Sequence, residues 1–109
     1  MASVADTAEN FTVDEVAQKS LETIRLAIED ERIEMTSHFD ERIAERGLLW
    51  VDVLVVVDEP LRMEYQELEE HGWPKWKIAG TSADGVSVAI VVAIRPDNRV
   101  RFVTIFWEE

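Results

Sequence analysis

The chain has 109 residues, a length that suits one domain, with 47% hydrophobic residues, 31% charged residues and a formal net charge of −12. It holds no cysteine, which excludes disulfides, thiol catalysis and cysteine-ligated metals. With only His38 and His71 as imidazoles, neither a metal site nor a cofactor is expected. No apolar run approaches the roughly 20 residues that span a bilayer, and Met1–Asn10 has neither the basic start nor the apolar stretch of a signal peptide, so a cytoplasmic protein with no membrane partner is expected.

The charge is uneven. Residues 1–71 hold 19 acidic and 6 basic side chains, a net of −13, whereas residues 72–109 hold 4 acidic and 5 basic ones, a net of +1. A strongly acidic surface repels phosphates at long range, which argues against generic nucleic-acid binding and for a basic protein partner, or simply for solubility.

In chain order, residues 1–10 are small and polar and read as a disordered lead-in. Thr12 and Glu15 have the spacing of a capping box, and Phe11 and Val16 that of a hydrophobic staple, so a helix is expected to start at Thr12. Val13, Val16, Ala17, Leu21, Ile24 and Ile28 follow at helical spacing and carry it to about Glu31. A short strand is expected near Ile33–Met35. Thr36 or Ser37 then caps a helix over 38–46, which Gly47 closes.

Leu48–Val57 is apolar throughout and by itself fits a buried strand or a buried helix. Leu61–Glu67 alternates as a half-exposed strand, and Glu67–Pro74 is a charged loop. Lys75–Thr81, Val86–Ile94 and Val100–Trp107 read as a three-stranded meander, turned at Ala83-Asp84-Gly85 and Pro96-Asp97-Asn98. In the last strand simple alternation places Val100, Phe102, Thr104 and Phe106 on one face. The expected fold class is α+β, with N-terminal helices packed on a three- to four-stranded antiparallel sheet.

The segment Ser37–Gly47 carries the candidate chemistry. His38, Arg42 and Arg46 are spaced i, i+4, i+8, which drifts only about 80° around a helix and puts all three along one face. An imidazole moves protons near neutral pH, and a guanidinium forks onto phosphate oxygens. One histidine in line with two arginines is therefore a workable set for phosphodiester cleavage. Asp40, Glu41 and Glu45 share the helix, and the same arginines equally fit ordinary surface ion pairs.

Other residues carry weaker signals. Trp50, Trp73, Trp76 and Trp107 fit base stacking or, better, core packing. Arg95, Arg99 and Arg101 surround one hairpin and fit phosphate contact or plain surface charge.

The spacing His38-x-x-x-Arg42-x-x-x-Arg46-Gly47-Leu48, followed by Asp52-Val53 and Pro60, resembles the opening of a small bacterial family, domain of unknown function 4258. Trp76-Lys77-Ile78-Ala79-Gly80, Asp84-Gly85 and Val103-Thr104-Ile105-Phe106 extend the resemblance over about residues 33–107. That family is similar to the RelE-like toxins of bacterial toxin–antitoxin systems. The resemblance implies a helix over residues 50–58 and a division into an extension at 11–32 and a RelE-like core at 33–109. It further implies a metal-independent endoribonuclease with RNA as substrate, held by an antitoxin partner. His38, Arg42, Arg46 and Thr104 are then the matched catalytic candidates, with Lys77 a weaker addition. The alternative expectation is a non-catalytic acidic module on the same fold that binds a basic protein or self-associates through the helix at 12–31.

Overall fold

The computed structural model describes residues 2–68 and 70–108, with side chains from residue 15 onward. Helix α1 spans Ala2–Glu29, β1 Ile33–Met35, α2 Ser37–Glu45 and α3 Trp50–Asp58; β2 spans Arg62–Gln66, β3 Lys75–Thr81, β4 Ser87–Ile94 and β5 Val100–Trp107.

Helix α1 starts at Ala2, not at Thr12 as expected. Residues 2–10, expected as a disordered lead-in, contain three alanines and neither glycine nor proline, so nothing in them breaks a helix that continues downstream. Thr12 therefore lies inside α1 rather than at its start, while the side chains of Phe11 and Thr12 fall outside the described residues.

Glu31 ends α1 in the left-handed region at φ 60°. The N–H of Arg32 reaches back to the Ala27 carbonyl (2.7 Å) and that of Glu31 to Ile28 (3.2 Å), the two bonds of a Schellman motif.

Helix α2 is capped as its sequence predicts. The Thr36 hydroxyl oxygen accepts the Phe39 N–H at 3.0 Å and its proton goes to the Val103 carbonyl at 2.9 Å, so the cap also ties α2 to β5. Gly47 ends the helix at φ 64°, with Leu48 N–H on the Ile43 carbonyl at 3.0 Å. Residues 50–58 form a helix, as the family resemblance implied.

The sheet has five strands in the order β1-β5-β4-β3-β2. The meander and β2 pair antiparallel, but β1 runs parallel to β5, with Ile33 opposite Val100 and Met35 opposite Phe102. The sheet is therefore mixed and one strand larger than expected. Parallel pairing needs a long crossover, and here the whole chain between β1 and β5 supplies it; local patterning carries no trace of such a pairing.

All three helices cover one sheet face. The fully buried rings of Phe39 (α2) and Phe102 (β5) pack edge-on at 5.5 Å, and Trp50 (α3) meets Phe102 at 5.4 Å. Leu21, Ile24 and Ala27 bring α1 into the same core, which Ile78, Val88, Ile90, Val92 and Ile105 complete from the sheet. The apolar stripe of α1 is thus spent on α3 and the edge strand β2, while α2 lies against β5. Val16, read as part of that stripe, is instead half exposed.

Gly80 marks the closest approach of α3 to β3. A Cβ added there would stand 3.3 Å from Val56 Cγ1 and 3.5 Å from the Glu59 carbonyl oxygen. Gly80→Val is expected to cost about 1–3 kcal/mol by overpacking this crossing, read as a lower urea midpoint at unchanged slope; an unchanged midpoint would show that α3 can lift away freely.

A β-bulge sits in β5. Val91 pairs with Thr104 and Val92 with Phe102, which leaves Val103 as the extra residue. The bulge reverses the alternation: Val100 and Phe102 face the helices, and beyond it Ile105 does, while Thr104 and Phe106 turn to the open face. The expectation of one face shared by Phe102, Thr104 and Phe106 is corrected accordingly, since strict period two holds only until an extra residue enters.

Candidate functional site

On α2 the packing stripe is Phe39 and Ile43, buried and half-buried against the core. His38, Arg42 and Arg46 flank it one position to the side, as their spacing predicts. His38 is exposed, and the side chains of Arg42 and Arg46 keep 34% and 28% of their surface. All three are therefore available along one ridge. Both arginines converge on a single carboxylate: Glu45 Oε2 lies 2.5 Å from Arg42 Nη1 and 3.8 Å from Arg46 Nη1. The local charge of the ridge is close to one positive unit rather than two. Arg46 Nε is buried and has no hydrogen-bond partner among the described residues.

The head of α2 opens onto a polar hollow. Glu34, Met35, Thr36, Ser37 and Arg101 line one part of about 310 Å³, and Thr36, Glu70, Lys75, Arg101 and Val103 line an adjoining part of about 230 Å³. Thr36 and Arg101 belong to both, and Ser37 precedes His38 directly. Two cations and two carboxylates thus border this space, which Ser37 lines and His38, Arg42 and Arg46 do not. The sequence marked Arg101 only as one of three arginines near a hairpin and left Lys75 in a strand pattern. The pairing of β1 with β5 is what brings Glu34 opposite Arg101 and the hollow into being.

Thr104 does not join this group. The bulge at Val103 turns it to the sheet face away from the helices, where it pairs in register with Val91. Lys77 lies on that same open face. Its Nζ is 2.6 Å from Glu108 Oε2 and 3.4 Å from Glu64 Oε2, and it sits over the Phe106 ring at 5.7 Å. Arg62 also pairs with Glu108, which closes a four-residue network across β2, β3 and the end of β5.

A second network occupies the other end of the open face. Glu34 receives Arg95 and, at 3.3 Å, Arg101. Both guanidiniums lie over the Trp73 ring, at 5.1 and 4.8 Å, and His71 stacks against the same ring at 4.5 Å. Trp73 is thus neither core nor a bare stacking platform; Trp76 is a core residue as expected, Trp50 is partly buried against the core, and Trp107, expected in the core, is instead 40% exposed.

These networks set an acid limit. Burial pushes the Glu34 carboxyl up, but hydrogen bonds and charge from Arg95 and Arg101 outweigh it and hold the group below the ordinary 4.5. The Lys77 hydrogen bond, against some desolvation and with help from Arg62, does the same for Glu108. A carboxyl with a lower value in the folded chain favours folding above its unfolded value and loses that contribution as the pH falls from about 4.5 through the folded value. Urea midpoints are therefore expected to drop on acidification below about 4.5, and less steeply in Glu34→Gln and Glu108→Gln. The comparison between wild type and variants cancels the relief of general acidic repulsion that both share. Parallel curves would mean that neither pair persists in solution.

Among the described residues no group of three or more His, Cys, Asp or Glu side chains is arranged to hold a metal ion, and no helix is long and apolar enough to cross a membrane. No curated protein matches the chain. The family model described as Domain of unknown function (DUF4258) matches residues 35–107, which runs from the end of β1 to the end of β5 and includes His38, Arg42, Arg46, Asp52 and Thr104. The chain therefore belongs to the DUF4258 family, with α1 standing before the matched region.

Proposed function

We propose that this domain is a RelE-like toxin-family protein, a metal-independent endoribonuclease that works under the control of a protein partner. The observation that carries the reading is the α2 ridge: an exposed histidine in line with two half-exposed arginines, on a helix whose first residue, Ser37, borders a hollow that Arg101 also lines.

In this reading an RNA 2′-hydroxyl attacks the adjacent phosphorus. His38 takes the hydroxyl proton, the bond to the 5′-oxygen breaks, and the departing oxygen takes a proton from the imidazolium or water. Arg42 and Arg46 bind the phosphate and stabilise the charge that builds on its oxygens. The phosphate would displace Glu45, which makes that carboxylate a competitor for the site.

Cleavage of a labelled single-stranded RNA tests this. His38→Ala and Arg42→Ala are each expected to lower the rate by about 10²-fold or more. Glu45→Ala is expected to tighten RNA binding by releasing both guanidiniums.

A second reading rests on that same carboxylate. Glu45 bonds Arg42 and lies 3.8 Å from Arg46, offsetting part of their charge locally, which suits a non-catalytic acidic module that binds a protein. Equal, background-level cleavage by wild type, His38→Ala and Arg42→Ala, with no gain of RNA binding in Glu45→Ala, selects that second reading.

A further inference from the structure

Helix α3, Trp-Val-Asp-Val-Leu-Val-Val-Val-Asp, is apolar almost all round, a composition that normally means burial on every side. Only one side is buried here. Val53, Val56 and Val57 enter the core, whereas Val51 is 49% and Leu54 37% exposed. On α1, Ile28 is only partly buried. Between the two helices runs an open groove of about 360 Å³, lined by Arg25, Ile28, Leu54, Val55, Val57 and Asp58.

The groove is held in shape. Arg25 donates from Nε to the Val57 carbonyl at 3.1 Å and from Nη2 to the Asp58 carbonyl at 2.8 Å. These bonds fasten α1 to the C-terminal end of α3, where carbonyls otherwise lack partners, and they occupy the groove's own cation. The remaining charge on these elements is mainly acidic: Asp58 lines the groove, and Glu22, Glu29, Asp30 and Glu59, all exposed, stand on α1 and directly after the two helices, against Lys19.

We propose that the groove between α1 and α3 is a docking site for a basic amphipathic helix of a partner protein. The groove accepts an apolar stripe at i, i+3, i+4 and i+7, and the acidic rim receives flanking lysines or arginines. Charge decides the occupant. A second copy of this chain would bring −12 against −12 and set acidic rim against acidic rim, whereas a basic helix converts the same rim into attraction. The site uses α1 and α3, not the α2 ridge, so it stands or falls independently of the ribonuclease reading.

The probe is a synthetic fluorescent 14-residue peptide with leucines at helical spacing and lysines on its flanks, beside a version with glutamates in place of the lysines. Anisotropy titration of the full chain is expected to show saturable one-to-one binding of the lysine peptide and none of the glutamate peptide. Leu54→Glu and Val55→Glu, both in the groove lining, are each expected to weaken binding at least tenfold. Val86→Glu, at an exposed apolar position in the β3–β4 turn, leaves it unchanged. Leu54 is an exposed helix position, so its variant stays folded even where Val55→Glu does not, and circular dichroism checks both. Absence of binding, or binding that neither variant weakens, overturns the proposal, the latter by reducing it to general charge attraction. So does self-association by sedimentation that Leu54→Glu abolishes, which would assign the groove to a second copy.

Discussion

Phe102→Ala is expected to remove about 3–5 kcal/mol of stability. Phe102 is fully buried, and it is the ring on which two helices meet the sheet: Phe39 from α2 at 5.5 Å and Trp50 from α3 at 5.4 Å, both edge-on. Truncation removes the ring's own burial and both aromatic pairs, and the rigid sheet beneath prevents the helices from closing the space. Against a total of about 5–15 kcal/mol for a domain, the variant should be marginal. Urea unfolding followed by tryptophan fluorescence measures the loss, since Trp50 lies in the affected contact. Phe106→Ala is the control. Phe106 is only half-buried on the open face beneath Lys77, and its loss should be clearly smaller. Equal losses would contradict the assignment of the two rings to opposite faces by the bulge at Val103.

Asp52→Ala is expected to cost about 2–4 kcal/mol, because hydrogen bonds to an ionised group are worth about 1.5–3 kcal/mol each and add imperfectly. Asp52 is one of two buried polar or charged residues among those described, at 6% exposure. Its Oδ2 accepts the Leu49 N–H at 2.8 Å, the return half of a capping box in which the leucine has no side-chain acceptor to offer. Its Oδ1 accepts the Ala83 N–H at 2.9 Å, so the same carboxylate ties the first turn of α3 to the β3–β4 turn. The charge also stands where the helix dipole favours an anion. Hydrogen exchange at Leu49 and Ala83 should accelerate together in the alanine variant. Asp52→Asn keeps one accepting oxygen and should recover about half of the loss. A variant in which only one of the two amides is deprotected would show that the two bonds are not held by one group.

Asp52 also shows what kind of meaning a motif can carry. In the sequence it stands inside the spacing that resembles the family, close behind His38, Arg42 and Arg46, and its type suggests chemistry. In the structure it is buried under two backbone amides and holds the start of α3. His38 is the converse: exposed, outside the packing stripe, and satisfying no structural need that its position reveals. The candidate ridge was therefore legible as three side chains beside, rather than within, the apolar stripe of Phe39 and Ile43. Its surroundings were not. The convergence of Arg42 and Arg46 on Glu45 was one option among Asp40, Glu41 and Glu45, and only side-chain geometry selects among them.

Local chemistry determined a good part of this protein. The Thr36 cap, the Gly47 stop, the turn at Asp84-Gly85 and the bounds of Lys75–Thr81 and Val100–Trp107 follow from residues within a few positions of one another, so the chain itself states them. Three other things lay outside local chemistry. Residues 48–57 are equally apolar for strand or helix, so only the family resemblance pointed to a helix, and the crossing at Gly80 is what seats α3 on the sheet. The pairing of β1 with β5 joins residues about 67 positions apart and builds the hollow beside α2; no local pattern announces an ordered partner so distant. The bulge at Val103 moves Thr104 from the helix side to the open side, because one extra residue shifts every later side chain by half a period. The ridge of His38, Arg42 and Arg46 was written in the spacing of one helix, but what stands around it was settled by strands from the two ends of the chain.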